Sequence, residues 1–135
     1  MSLSRFCGCA APFLLSLMRV VCGLLLLNFG VMKIFGFPPG GMAPAVGTLP
    51  WIAGLFELCV GFLVTIGLFT RPSAFVLSGL MAAAYFIAHY PKSFFPSLNG
   101  GMAAAALSFV FLYIAAAGPG PISIDALFRR RTPGA

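Results

Sequence analysis

Few side chains in this sequence could move protons or bind a polar ligand, and they stand in or beside apolar runs. Glu57 lies within GLFELCVGFLVTIGLF, positions 54–69, where it is the only charged residue. Lys33 lies near the end of an earlier apolar run, and Tyr85 and His89 lie near the end of a later one. Carboxyl, amine, imidazole and phenol groups are the usual general acids and bases of proteins. We therefore take these residues as candidates for proton handling or ligand binding.

Glu57 needs a partner if its apolar run crosses a membrane, because a charged side chain at the bilayer centre costs about 2.5–3.5 kcal/mol. Glu57 follows Trp51 by about 9 Å of helix, and Lys33 precedes Gly36 by about 5 Å. The two residues therefore lie at compatible depths on antiparallel neighbours, and we predict that they interact. A buried ion pair can also serve only to fix helix register, so a structural and a functional role both stay open.

The remaining candidates extend this pair into a predicted polar pocket in the outer half of the protein. His89 is expected at the outer end of its helix, with Tyr85 one turn below, and Asn28 lies about 7 Å deeper than Lys33 along the first helix. His89 is the only histidine in the chain, so two-histidine haem ligation cannot come from this polypeptide alone. The candidate residues of the pocket are Lys33, Glu57, Tyr85, His89 and Asn28.

At the opposite end, Arg19 and Arg71 have no acidic residue nearby in their own apolar runs. Asp125 is the only acid in the chain besides Glu57, so we expect it to form a structural ion pair with these arginines. No metal site is predicted, because Cys7 and Cys9 form a C-x-C pair and no second pair completes a four-ligand set.

The composition of the chain indicates what kind of protein positions these residues. The 135 residues are 61% hydrophobic and 7% charged, whereas a soluble domain carries about 25% charged residues. The chain is therefore expected to be an integral membrane protein whose first partner is the lipid bilayer. The net charge of +6 is attributed to basic helix ends that face anionic lipid headgroups, and not to nucleic-acid binding.

Four apolar runs approach the length of about 20 residues that a helix needs to cross a bilayer. They predict an all-α fold, an antiparallel bundle of four transmembrane helices that forms a single domain over residues 1–135. A basic C-terminal tail follows at 119–135. The predicted helices cover residues 12–36, 51–69, 72–90 and 102–118.

One stripe of the first helix is expected to face the other helices. Arg19, Gly23, Leu26, Gly30 and Lys33 follow one another at steps of four, three, four and three residues, which places them on one side of a helix. Small residues let transmembrane helices approach closely. The stripe is therefore predicted to pack inside the bundle.

Orientation follows from the excess of lysine and arginine in cytoplasmic loops. Arg5, Arg71 and Arg129–Arg131 fall on one side of the predicted membrane, whereas Lys92 falls on the other with Lys33 close to it. Both termini are therefore predicted to be cytoplasmic, in a bacterial inner membrane.

Several short motifs, taken in order, resemble the DoxX family of small four-helix bacterial membrane proteins. The resemblance covers Arg19 to Leu127. The motifs are Arg19, Gly23, Gly30 and Lys33 in the first helix, Glu57 and Gly61 in the second, GLFTRPSA at 67–74, His89, and GPGPISID at 118–125.

The resemblance implies a role in the membrane without fixing which one. Family members include subunits of a thiosulfate:quinone oxidoreductase. Others are linked to thiol redox homeostasis and quinone detoxification, and distant relatives are export factors. We expect an accessory subunit of a larger electron-transfer complex, not catalytic on its own. The first alternative is a quinone-linked oxidoreductase component, in which the polar pocket holds a quinone, the only cofactor implied. The second alternative is a small-molecule carrier or export factor.

Overall fold

The computed structural model describes residues 3–132, and within that range the chain is helical with no strands. A π-helical turn at Tyr85–His89 and a 3-10 turn at Tyr90–Lys92 continue the third helix. The α-helices are α1 Leu3–Phe35, α2 Leu49–Ile66, α3 Thr70–Ala84, α4 Pro96–Asn99, α5 Met102–Ala117 and α6 Ile124–Arg131.

Three helical segments are long and apolar enough to cross a membrane: Ser4–Phe35, Leu49–Ile66 and Thr70–Lys92. The fourth apolar helix, α5, has 16 residues. At 1.5 Å per residue it is about 24 Å long, somewhat less than a typical hydrocarbon core of about 30 Å. The all-α prediction is confirmed, with three to four helices that could span a membrane.

The first helix begins earlier than predicted. Its start was expected at Pro12, but α1 begins at Leu3 and Pro12 lies inside it. A proline removes one backbone hydrogen bond and disfavours helical backbone before it, yet here the helix continues through it. The hydroxyl group of Ser16 donates to the Pro12 carbonyl oxygen at 3.3 Å.

The turn between α2 and α3 is set by Gly67. Its φ of 73° is left-handed, and its N–H donates to carbonyl groups of the last turn of α2. Glycine adopts this conformation without steric cost, so it is the usual residue at a helix C-terminus. The helix ends at Ile66, and not at Phe69 as predicted, because Gly67 stops it.

Two helix pairs make up the bundle: α1 packs against α2, and α3 packs against α5, with α2 also contacting α3. Glycines bring the backbones of α1 and α2 together. A Cβ atom at Gly30 would lie 2.5 Å from the backbone nitrogen of Leu58, and one at Gly23 would lie 2.4 Å from Oγ1 of Thr65. The predicted stripe of α1 therefore faces α2.

Buried apolar side chains form a compact core between the helix pairs, while most large apolar residues face outward. Phe109 and Phe75, for example, are 73% and 65% exposed. Such exposure of apolar surface fits a protein whose solvent is lipid. The core residues are Leu26, Val64, Ala74, Leu77, Met81, Phe111 and Ile114.

Candidate functional site

The predicted contact between Lys33 and Glu57 is confirmed. The Lys33 Nζ atom donates to Oε1 of Glu57 at 2.7 Å, and the two side chains are 21% and 3% exposed. Gly54 makes room for the lysine, since a Cβ atom there would lie 2.7 Å from the Lys33 Cβ atom. The pair therefore joins the last turns of α1 to the first half of α2, and the carboxylate is shielded from lipid.

The second carboxyl oxygen of Glu57 accepts no hydrogen bond from the described residues. This atom, Oε2, is also buried. An unsatisfied buried polar atom costs about 1–3 kcal/mol, and structures that tolerate one commonly do so for a bound molecule or a chemical role. Glu57 thus has unused capacity to bind a proton or a ligand donor.

Tyr85 and His89 belong to a second group, which is centred on Asn99. The backbone carbonyl of Asn99 lies 3.1 Å from Nδ1 of His89, and the Asn99 Nδ2 atom donates to the Ser93 carbonyl at 2.9 Å and to the Tyr85 hydroxyl at 3.4 Å. Its Oδ1 atom accepts from the Gly101 N–H at 2.7 Å. We call these residues the Asn99 cluster; it ties the end of the third helix to the loop before α5.

The five candidate residues are therefore not joined in one hydrogen-bonded pocket. Within residues 3–132 no hydrogen bond or ion pair connects Lys33 or Glu57 to the Asn99 cluster. Asn28 is exposed, because it follows the buried Leu26 by two residues and so lies about 200° around the helix from it. Depth along the helices put Lys33 and Glu57 at compatible levels and Asn28 about 7 Å deeper, but depth alone does not specify the direction around a helix. Their role in ligand or proton handling stays a prediction.

Arg19 is buried at 1% exposure and binds backbone carbonyls. Its guanidinium group donates to the carbonyl oxygens of Val64 and Thr65, both at 2.6 Å, Pro119 at 2.8 Å and Ile122 at 2.5 Å. We call this group the Arg19 cluster. It joins the middle of α1 to the end of α2 and to the segment between α5 and α6.

The ion pairs that we expected at this end do not form, since Lys33–Glu57 is the ion pair of residues 3–132. Arg71 donates to backbone carbonyls at the end of α5, including that of Ala115 at 3.1 Å. The Asp125 carboxylate instead accepts the backbone N–H groups of Phe69 at 3.0 Å and Thr70 at 2.9 Å. Asp125 therefore caps the N-terminus of α3 from a distant part of the chain. A helix terminus has unpaired N–H and C=O groups. In this structure such groups bind Asp125 and Arg71 in place of an oppositely charged side chain.

The pKa of Asp125 lies below its usual range. Partial burial raises it, but the hydrogen bonds from Thr70 and Phe69 and the positive charge of Arg129 together lower it further. The carboxylate is thus held in its charged, hydrogen-bond-accepting form at neutral pH.

Sequence reasoning did not identify Asn99 or the carbonyl partners of Arg19. For two of those partners, Pro119 and Ile122, the available signal was the segment GPGPISID, because its prolines have carbonyl groups but no N–H donors. Gly120, in this segment, has a φ of 76°, and a Cβ atom there would lie 2.2 Å from Oγ of Ser16. The segment is thus shaped to approach α1 closely. Within the described residues no three His, Cys, Asp or Glu side chains are grouped as metal ligands would be.

One family model and two bacterial proteins match this sequence. The sequence model of the DoxX family matches residues 14–90, more than half of the chain. An uncharacterized protein of Haemophilus influenzae is 35% identical over 126 residues, covering 89% of this chain and 94% of the relative. The inner membrane protein YphA of Escherichia coli K12 is 28% identical over 129 residues, covering 87% of this chain and 92% of the relative. No solved structure matches the chain significantly.

Proposed function

The chain belongs to the DoxX family, and from this premise we propose that it is a non-catalytic accessory subunit of a larger, electron-transferring complex in the bacterial inner membrane. The inner-membrane location is supported by the apolar helices and by a relative that is named an inner membrane protein. The proposal further holds that four helices cross the membrane and that both termini are cytoplasmic.

The proposed orientation is supported by the distribution of basic residues. Arg71 contacts the end of α5, directly before α6 with its three arginines, so these cations share one end of the bundle. Lys33 and Lys92 lie at the other ends of their helices. An excess of arginine and lysine marks the cytoplasmic side.

The accessory-subunit function is carried by the outward face of α3. Gly79 is exposed, and a Cβ atom there would meet nothing within 4 Å in the described part of the chain, whereas Gly23 and Gly30 are packed tightly against α2. Ala83, one turn later, is also exposed. Small residues spaced by four on a transmembrane helix allow another helix to approach closely. The face around Gly79 and Ala83 is therefore our proposed docking surface for a partner helix.

A single substitution on this face tests the proposal. Gly79→Ile should block close helix approach, while Ala103→Ile is a matched control because Ala103 is exposed on α5. Each protein, expressed at native level, is extracted into lipid nanodiscs and weighed by native mass spectrometry. We expect a second protein at fixed stoichiometry with wild type and the control, and its loss with Gly79→Ile. A chain that is alone or only self-associated in all three samples contradicts the proposal.

A second candidate function, a quinone-linked oxidoreductase component, is favoured by the unpaired Oε2 atom of Glu57. Lys33 is 21% exposed and could donate to a quinone carbonyl, while Glu57 exchanges the proton. Tyr85 and His89 are already bonded within the Asn99 cluster, so the Lys33–Glu57 pair carries this alternative. Glu57→Gln should abolish quinone reduction by the purified complex, assayed at a temperature at which circular dichroism shows that the variant is still folded. Unchanged turnover would exclude this function.

A further inference from the structure

Two grooves flank α6 at the basic end of the bundle. The larger, about 550 Å³, lies between α6, α1 and the end of α2, and its apolar lining includes Phe13, Val20, Ile66 and Leu127. The smaller, about 390 Å³, lies on the other side of α6 and is lined by Pro12, Leu15 and Ala126, among others. Both volumes are within the range of roughly 300–1,000 Å³ that is usual for ligand sites.

Arg130 lines both grooves. It stands in the last turn of α6 between Arg129 and Arg131, and all three are exposed. Arg130 is therefore the cation that the two grooves share, whereas Arg19 lines only the larger groove and Arg129 only the smaller one. Arg131 has the same charge, but it lines neither groove.

Within residues 3–132 no carboxylate forms an ion pair with Arg130. The sequence contains two acidic residues. Glu57 is bound to Lys33, and both oxygens of Asp125 accept backbone N–H groups at the start of α3. Within the described residues, Arg130 is therefore left without an acidic partner and can bind an external anion.

The combination of a cation and two adjoining apolar grooves specifies one kind of molecule. Arginine binds phosphate through paired, charge-assisted hydrogen bonds, and short helices with basic and apolar faces lie at the lipid headgroup level. Leu127 and Phe128 give α6 such an apolar face, each 57% exposed. We propose that α6 and its two grooves bind one anionic diacyl phospholipid, with the phosphate on Arg130 and an acyl chain in each groove. This proposal does not depend on the accessory-subunit function.

A pair of charge variants separates a built site from general attraction to a negative surface. The full chain, delipidated in detergent, is titrated with phosphatidylglycerol, and bound lipid is counted by native mass spectrometry. Loss of a hydrogen-bonded charge should weaken binding about tenfold or more in Arg130→Gln. Loss of one nearby cation should weaken it by no more than about fivefold in Arg131→Gln. Equal losses in the two variants would overturn the site at Arg130.

A second pair of variants tests the grooves. Leu127→Trp places a larger ring in the larger groove, whereas Phe128→Trp makes a similar change at a residue that lines neither groove. We expect phosphatidylglycerol binding to be lost in the first and retained in the second, with the same thermal unfolding for both. Retention in both, binding of phosphatidylcholine equal to that of phosphatidylglycerol, or displacement of the lipid by millimolar inorganic phosphate would each overturn the proposal.

Discussion

At the scale of single residues, the buried guanidinium group of Arg19 is held by backbone carbonyls and not by a carboxylate. Arg19 contacts carbonyls of Val64 and Thr65 in the last turn of α2, where the helix dipole is negative. Two further carbonyls, of Pro119 and Ile122, complete the Arg19 cluster. Only a planar group with several diverging N–H donors can reach all of these oxygens together.

Replacement of Arg19 by lysine should therefore be destabilising despite the retained charge. The lysine ammonium group is a single compact donor, so at least one buried carbonyl would lose a charged hydrogen bond worth about 1.5–3 kcal/mol. We expect Arg19→Lys to lower the free energy of unfolding in detergent by this amount. Arg5→Lys, at an exposed position, is the control and should have no measurable effect. Equal stability of the two variants would show that the Arg19 cluster contributes little.

The Lys33–Glu57 pair makes a different prediction, which concerns coupling. In a double-mutant cycle with Lys33→Met and Glu57→Gln, residues in direct contact typically show an interaction energy of about 0.5–3 kcal/mol. We expect a value in this range from thermal unfolding in detergent, because the carboxylate is buried against the amine. Additive effects would mean that the contact does not stabilise the fold.

Asp125 gives the protein a pH dependence. A carboxylate whose pKa is lower in the folded state stabilises the fold above its unfolded pKa, near 3.9, and this stabilisation is lost as the pH falls through the folded pKa. Asp125→Asn should therefore unfold at a lower temperature than wild type at pH 7. The difference should shrink as the pH falls below about 4, because the unfolded chain then binds a proton at this carboxyl group before the folded protein does. A difference that is constant from pH 7 to pH 3 would contradict this role.

At the scale of elements, the contact between α1 and α2 could be predicted because it depends on local periodicity. The stripe through Gly23 and Gly30 faces α2, and Leu26 and Arg19 between and below them are each 1% exposed. The same periodicity, applied to Asn28, would have placed it on the outer face. The Asn99 cluster could not be predicted, since it depends on how the loop after the third helix folds back onto it.

Close packing of α1 on α2 predicts a contrast between two glycines. A methyl group at Gly30 would overlap the backbone of Leu58, whereas one at Gly79 would meet open space. Gly30→Ala should lower the free energy of unfolding by about 1–3 kcal/mol, as for other overpacked sites. Gly79→Ala should change it by less than about 0.5 kcal/mol. Chemical or thermal unfolding of the monomeric protein in detergent measures both, and similar losses would argue against the close approach of α1 and α2.

At the scale of the whole molecule, α1 extends beyond the helix with which it pairs. Its 33 residues correspond to about 50 Å, against about 30 Å for the hydrocarbon core. Arg19 lies beside the end of α2, so the residues before it continue past that end. Cys7 and Cys9 are exposed in this extension.

The exposed thiols allow the proposed orientation to be tested. A variant with Cys7 as its only cysteine should react with a membrane-impermeant maleimide in inside-out vesicles but not in intact spheroplasts. A matched variant in which Ser97→Cys supplies the only cysteine should show the reverse, since Ser97 is exposed in α4. The positive-inside distribution of arginine is the reason for this expectation. Labelling of Cys7 in spheroplasts would contradict a cytoplasmic N-terminus.

The whole-molecule features that could be predicted are those set by composition, namely a helical membrane protein with basic residues gathered at one end. The partners of Arg19, Arg71 and Asp125 were missed for a shared reason. A count of charged residues shows which side chains need a partner. Every residue has backbone groups, however, so the residue types do not show which of these groups are unpaired at a helix end. Their positions depend on where α2 and α5 end and where α3 begins.

The Arg19 cluster also has a consequence for biosynthesis. Arg19 and the Pro119 carbonyl that it binds are 100 positions apart, so the first helix leaves the ribosome long before that acceptor has been translated. Until then the guanidinium group of Arg19 can reach at most the Val64 and Thr65 carbonyls, which are translated earlier. The Arg19 cluster can be completed only after the final segment has emerged.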